Sequence, residues 1–252
     1  MQYGSIYLEK MKQILDRIRQ EQGKNIAAAA EIMADSIAKG GLIHVFGSGH
    51  SVIPVLDIFP RYGSFPGFHP LLDPRLMWFN VLGPGGVREL LWLERKEGYA
   101  QVFLTNHCLL ENDVMLVFSH GGLNAAPIEV AMEAKRRGLA VVAVTSQENY
   151  RRAQATHSSG KKLADLADVV IDNCVPPEDG LVRIKGLEEP VAAGSTIAAV
   201  AIAMALVSEV AGRLVQMNIK PKVFVSPNVN KNAIQHNEEV FEVYKQMLKN
   251  RR

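Results

Sequence analysis

The chain has 252 residues, with 28 Lys and Arg against 26 Asp and Glu for a net charge of +2, and 48% hydrophobic against 21% charged residues. So much apolar material at so little net charge excludes a disordered chain and a basic nucleic-acid-binding stripe. At about 150 residues per domain, the length fits two small units or one generous α/β unit, and either buries a useful core.

The N-terminal stretch from Met1 to Glu9 lacks the apolar run of a signal peptide, so export is not expected. Met11, Leu15 and Ile18, then Ile26, Ala29, Met33 and Ile37, recur at helical spacing, and residues 5 to 39 read as one or two amphipathic helices stopped by Gly40-Gly41. Leu42 to Phe46 is a short β-rich run that opens into Gly47-Ser48-Gly49-His50-Ser51. Residues 54 to 84 hold six of the twelve prolines with Phe59, Phe65, Phe68, Trp78 and Phe79, which predicts a rigid, irregular excursion carrying one strand near Leu76 to Val81.

The strand-to-loop pattern then repeats. Val114 to Phe118 runs into Ser119-His120-Gly121-Gly122-Leu123-Asn124 and a helix from about Pro127 to Arg137. Leu139 to Val144 ends in Thr145-Ser146-Gln147, and Val169 to Ile171 ends near Asp172-Asn173. Short strands alternating with helices predict parallel βαβ units and a three-layer α/β/α sandwich. Val191 to Val207 is nearly unbroken apolar sequence, short of the roughly 20 residues that span a membrane. Gly194, Ala198, Ala201, Ala205, Ser208 and Gly212 draw a small-residue stripe along it, as in a buried core helix or a dimer seam. Glu238 to Lys249 reads as a last amphipathic helix. The basic clusters Lys135-Arg136-Arg137 and Arg251-Arg252 read as solvated helix ends. Cys108 and Cys174 suit neither a disulfide framework nor a zinc site, so free thiols in a cytoplasmic protein are the expectation.

Open parallel sheets bind ligands at the carboxyl ends of their strands, and three of the loops lie there. Glycines let backbone N–H groups approach an anion, and hydroxyls add donors. The loops contain no Lys or Arg, so a small phosphate would be held by backbone and hydroxyl groups. Gly47-Ser48-Gly49 begins like a dinucleotide fingerprint but has Val52 at the third glycine, and no lysine follows either loop as nucleoside triphosphate binding requires. Each loop taken singly is equally explained as a tight strand-to-helix turn.

On these residues the chain resembles the SIS (sugar isomerase) domains that bind phosphosugars. Gly47-Ser48-Gly49-His50-Ser51 is similar to the family's first glycine loop, G-x-G-x-S. The 119 to 124 segment is similar to its S-x-S-G-x-T phosphate loop, with Gly121 for the second serine and Asn124 for the threonine. Ala193-Gly194-Ser195-Thr196 is similar to the G-S-T segment of the family's sugar-phosphate etherases and isomerases. The resemblance covers most of residues 20 to 230 and extends to an uncharacterised group of bacterial stand-alone SIS proteins.

It implies a flavodoxin-like five-stranded parallel sheet with a long N-terminal helix, in one domain over residues 1–252: a helical segment 1–39, a core 40–215 and a tail with its helix 216–252. It also implies a phosphosugar ligand on Gly47, Ser48, Gly49, His50, Ser51, Ser119, His120, Gly121, Gly122, Asn124, Thr145, Ser146, Gln147, Ser195 and Thr196, a homodimer or homotetramer, and no metal, cofactor, nucleic acid or membrane.

Aldose–ketose isomerisation needs proton transfer between adjacent carbons, usually by a carboxylate and a histidine. The phosphoheptose isomerases take a glutamate from the helix after the first loop and a histidine from the late helix; the matching stretches here hold Asp57 and the wholly apolar Ile202 to Val207. His50, His120 and His236 remain as substitutes. Val55-Leu56-Asp57 and Glu97-Gly98 also resemble segments of the etherases that carry two glutamates. The expected acid–base groups are therefore Glu97, with Glu94 one turn before it and Asp57 as partner, and Glu209, which apolar neighbours would desolvate; Glu129 reads as a helix-surface residue. An isomerase or related lyase is expected, with a non-catalytic phosphosugar-binding or regulatory module as the alternative and a dinucleotide enzyme as a remote third.

Overall fold

Met11, Ile14 and Ile18 bury one side of helix α1 (Tyr3–Glu21), and Ile26, Ala29, Ala30 and Met33 bury one side of α2 (Gly23–Ala38), in a computed structural model that describes residues 2–229, 231–249 and 251. Met1 and Arg252, which belong to the N-terminal stretch and the terminal basic pair read above, lie outside the described residues. The helical periodicity of residues 5 to 39 resolves into two helices because Gln22 interrupts it. Its buried side chain accepts the Asp172 N–H at 3.0 Å and an Asn25 amide hydrogen at 2.9 Å.

The strands follow as β1 (Ile43–Gly47), β2 (Phe68–Pro70), β3 (Val114–Phe118), β4 (Ala140–Thr145) and β5 (Val169–Asp172), all parallel, in the order β2-β1-β3-β4-β5. This is the flavodoxin-like order. The alternation of strand side chains sorts the apolar runs onto two faces. Val114, Leu116 and Phe118 pack with α1, α2, α3 (Val52–Ile58) and a late helix, α8 (Ser195–Gln216). Met115 and Val117 pack on the other side with residues of α4 (Val87–Leu93), α5 (Tyr99–Leu104) and α6 (Ala125–Arg136). Helices on both faces of one sheet make the three layers.

Four sequence expectations are corrected. Leu76 to Val81 is not a strand: Leu76 ends a 3-10 turn whose Asp73 accepts the Arg75 N–H at 2.9 Å, and beyond it Asn80 makes only an isolated bridge to Gly86. The fifth strand is β2, on the sheet edge, where Pro70 lacks an N–H at little cost. The apolar run from Val191 opens as β7 (Val191–Ala193), antiparallel to β6 (Gly180–Val182), before α8 begins. At 22 residues and mean hydropathy 1.8, α8 is long and apolar enough to cross a membrane by length and composition, so length does not separate the two cases. Ala198, Ile202, Ala203, Leu206, Val210 and Leu214 are buried in the core, where α8 packs on α2 and α3.

The fourth correction concerns the C-terminus. After α7 (Gln147–Arg152), α8 and α9 (Ala233–Lys249), Arg251 is not solvated. It is buried and forks onto Asp113 at 2.6 and 2.7 Å, just before β3.

Candidate functional site

Strand order reverses direction between β1 and β3, and the loops leaving their carboxyl ends diverge there, opening the crevice where such sheets take ligands. Gly47 ends β1 because a Cβ on it would lie 2.1 Å from the Ser51 carbonyl oxygen, so only glycine lets the chain fold into the 3-10 turn of Gly49–Ser51. In the second loop Gly122 has φ +63, and its N–H donates to Ser119 Oγ at 3.2 Å.

A narrow cleft lies between these loops and the start of α8. His50, Ser51, Ser119, His120, Asn173, Ser195 and Thr196 supply its polar wall, and Phe118, Val144 and Ala199 its apolar one. Among the described residues, no Lys or Arg lines it. His50 packs against Trp78 with ring centroids 4.6 Å apart, so the proline-rich excursion forms the outer rim. His120 Nδ1 lies 3.0 Å from the Asn173 side-chain nitrogen. Ser195 is already engaged: its N–H and hydroxyl both donate to the Asp179 carboxylate at 2.8 Å.

The carboxylate joined to both loops is Glu94. Ser48 donates to Glu94 Oε2 at 2.8 Å, Asn124 lies close enough to lower the pKa of the same group, and a Cβ on Gly49 would stand 3.9 Å from it. Only 6% of Glu94 is exposed. Burial pushes its carboxyl above the ordinary value, and the hydrogen bond from Ser48, the charge of Arg95 and the nearby Asn124 offset part of that rise. Read as charge on an exposed helix, Glu94 ranked behind Glu97. The signal available was its spacing of four from Leu90, which is buried and puts both on the inward face of α4 and its cap.

Other expected residues stand apart from the cleft. Glu97 is exposed, and its carboxylate takes the N–H of Ser158 at 2.7 Å and the Ser158 hydroxyl, which lower its pKa. Asp57 is paired with Arg61 at the end of α3, at 2.5 Å. Glu209 lies on the exposed side of α8, so the expected desolvation is absent. Glu129 is buried rather than on the surface, and accepts the N–H groups of Gly98 and Ala100. His236 bonds the Val223 carbonyl at 2.7 Å.

The β4 loop serves the architecture. Thr145 donates to the His120 carbonyl at 3.2 Å; Ser146 is fully buried, donates to the Val175 carbonyl at 2.7 Å and accepts the Asn149 N–H; Gln147 lines a separate surface hollow with Gln22 and Tyr150. Asn173 and Asp179 are the site residues that sequence reasoning missed, because each acts through a neighbour brought close only by the fold. Among the described residues, no three His, Cys, Asp or Glu side chains group as a metal site.

Comparison with known proteins places the fold. Residues 6–146 match the model of the SIS domain. A UPF0309 protein of Thermoanaerobacter pseudethanolicus is 36% identical over 96% of this chain and 98% of its own length, and one of Listeria innocua is 32% identical over 96% of each. Among solved structures, the phosphoheptose isomerase of Neisseria gonorrhoeae superposes with a TM-score of 0.55 at 16% identity, over 82% of this chain and 95% of that one. A phosphoheptose isomerase of Francisella tularensis gives 0.53 at 18%, over 81% and 94%. At those identities the structures speak for the fold. The match across the sheet and its glycine loops, with relatives similar over their whole length, means that the chain belongs to the SIS domain family and, within it, to the UPF0309 proteins.

Proposed function

We propose that this protein binds a sugar phosphate in the cleft between β1 and β3 and isomerises it by proton transfer through Glu94. The observation that carries the reading is the position of Glu94, a buried carboxylate hydrogen-bonded to the first glycine loop through Ser48 and influenced by Asn124 of the second. The phosphate sits on the backbone amides and hydroxyls of the 119 to 124 loop with Ser51, without a side-chain cation.

The reacting carbons of the open-chain sugar then face the Ser48 side of the cleft. Glu94 removes the proton from the hydroxyl-bearing carbon next to the carbonyl, leaving an enediolate; the proton of that hydroxyl passes to the former carbonyl oxygen, and Glu94 returns its proton to the former carbonyl carbon. Its raised pKa brings it nearer to neutrality, which strengthens it as a base and lets it give the proton back. We read the chain as one domain, cytoplasmic because its charged ligand does not cross membranes, and dimeric through the half-exposed small-residue face of α8.

The test is solvent exchange. A sugar phosphate that binds should take up deuterium from D₂O at the carbon next to its carbonyl, and Glu94→Gln should bind it without exchange. Exchange at the wild-type rate in Glu94→Gln would remove Glu94 from the mechanism. Two observations favour a binding-only module instead: the inward face of α8 offers apolar Ile202, Ala203 and Leu206, and Ser195 is tied to Asp179. Tight binding with no exchange in the wild-type protein would select that reading.

A further inference from the structure

The two ring nitrogens of His120 have different surroundings. Nδ1 lies 3.0 Å from the Asn173 amide nitrogen, while Nε2 is buried at the cleft wall with no hydrogen-bond partner among the described residues. The orientation of the Asn173 amide follows from its other end. Its Oδ1 accepts the Val175 N–H at 3.0 Å, a bond that only the oxygen can accept, so the NH₂ group must face the ring.

An amide NH₂ only donates. His120 Nδ1 is therefore the bare acceptor, and a neutral imidazole with a bare Nδ1 carries its proton on Nε2. The result is a buried N–H donor left without an acceptor, a state that native structures rarely tolerate unless a ligand or an ion completes it.

We infer that Asn173 is a positioning residue that holds His120 as its neutral Nε2–H tautomer, so that this N–H donates to a phosphate oxygen of the bound sugar phosphate. The inference rests on the phosphosugar reading above and sharpens it. The phosphate loop departs from the pattern it resembles by losing hydroxyls at Gly121 and Asn124, and the imidazole N–H supplies a donor in the same loop. Among the described residues the cleft wall has no Lys or Arg, so the donors it offers are neutral. With Nδ1 occupied and Nε2 protonated, His120 has no lone pair free to act as a base, which leaves proton transfer to Glu94.

The tautomer is measured by long-range ¹H–¹⁵N correlation of the His120 ring in the wild-type protein, with no ligand. The expected pattern is protonated Nε2 and bare Nδ1; a protonated Nδ1 overturns the proposal and needs no variant. Asn173→Asp keeps an acceptor for Val175 but puts an acceptor opposite Nδ1, which moves the ring proton. Where the same spectrum shows a single ring proton, this variant should carry the opposite tautomer and bind inorganic phosphate roughly tenfold or more weakly, the worth of one hydrogen bond to a charged group. Equal phosphate affinity in wild type and Asn173→Asp overturns the proposal alone. A wild-type protein with the expected tautomer that binds neither phosphate nor any sugar phosphate overturns the phosphosugar reading, and this proposal with it.

Discussion

Ser48 and Glu94, 46 residues apart in the chain, meet in a 2.8 Å hydrogen bond that ties the first glycine loop to a buried carboxylate. The bond lowers the Glu94 pKa against the rise caused by burial. Glu94→Gln should reduce turnover by about 10²- to 10⁴-fold, the usual worth of a positioned general base, while Glu97→Gln should stay near wild type because Ser158 already holds Glu97. Ser48→Ala removes a bond to the ionised form, so the acidic limb of the kcat/KM profile should move to higher pH. Steady-state rates across pH decide all three; full loss in Glu97→Gln with activity kept in Glu94→Gln would reverse the assignment.

The buried pair of Asp113 and Arg251 lies at the amino ends of the strands, opposite the cleft. Burial alone would raise the Asp113 carboxyl, but hydrogen bonds from His44, Arg251 and the N–H groups of Leu110 and Leu42 bring it well below the ordinary carboxylate range. A depressed folded-state pKa gives stability that is present above the unfolded value near ~3.9 and is lost as pH falls through the folded one. Arg251→Ala should cost about 3–5 kcal/mol at neutral pH, since it leaves a buried charge without its partner. Urea unfolding reads this directly, and a cost under about 1 kcal/mol, typical of surface pairs, would contradict the buried geometry.

His69 lies on β2 beside His44 and His107, with Tyr244 against its Nδ1 at 2.5 Å. Burial, then the neighbouring His44, His107 and Arg251, lowers its pKa to about 4, with Asp113 opposing. The folded state binds fewer protons than the unfolded one between the ordinary value of 6.5 and about 4, so stability falls as pH drops through that window. Proton NMR should find His69 neutral down to about 4; a midpoint at the ordinary value would mean that the histidine cluster is open to water.

Gly47→Ala places a methyl group 2.1 Å from the Ser51 carbonyl oxygen, a backbone atom that cannot swing away. The loop must shift, at about 1–3 kcal/mol for overpacking, and ligand affinity should fall with it. Thermal denaturation with and without ligand checks both effects; wild-type values for both would mean that the turn is not needed.

Most of the sheet was legible because its strands are short apolar runs opening into loops of Gly, Ser, Thr, Asp and Asn, a local pattern. The edge strand was misplaced because Phe68 and His69 carry no such loop after them, whereas Trp78 and Phe79 look β-rich but form no strand, and Trp78 packs on His50 instead. Within the site, the glycines and hydroxyls of both loops could be read directly from the chain. Glu94 was undervalued because its neighbours Arg95, Lys96 and Glu97 are charged, and only the packing of Leu90 shows which way α4 faces. Asn173 and Asp179 act through His120 and Ser195, partners that the chain alone does not bring near.

The most direct test is a thermal-denaturation series with hexose, hexosamine and heptose phosphates beside the same sugars without phosphate. At least one sugar phosphate should raise Tm at millimolar concentration where its parent sugar does not, and Ser119→Ala should weaken the shift. If no sugar phosphate stabilises the protein, or if the parent sugars do so equally well, the cleft between β1 and β3 is not a phosphosugar site.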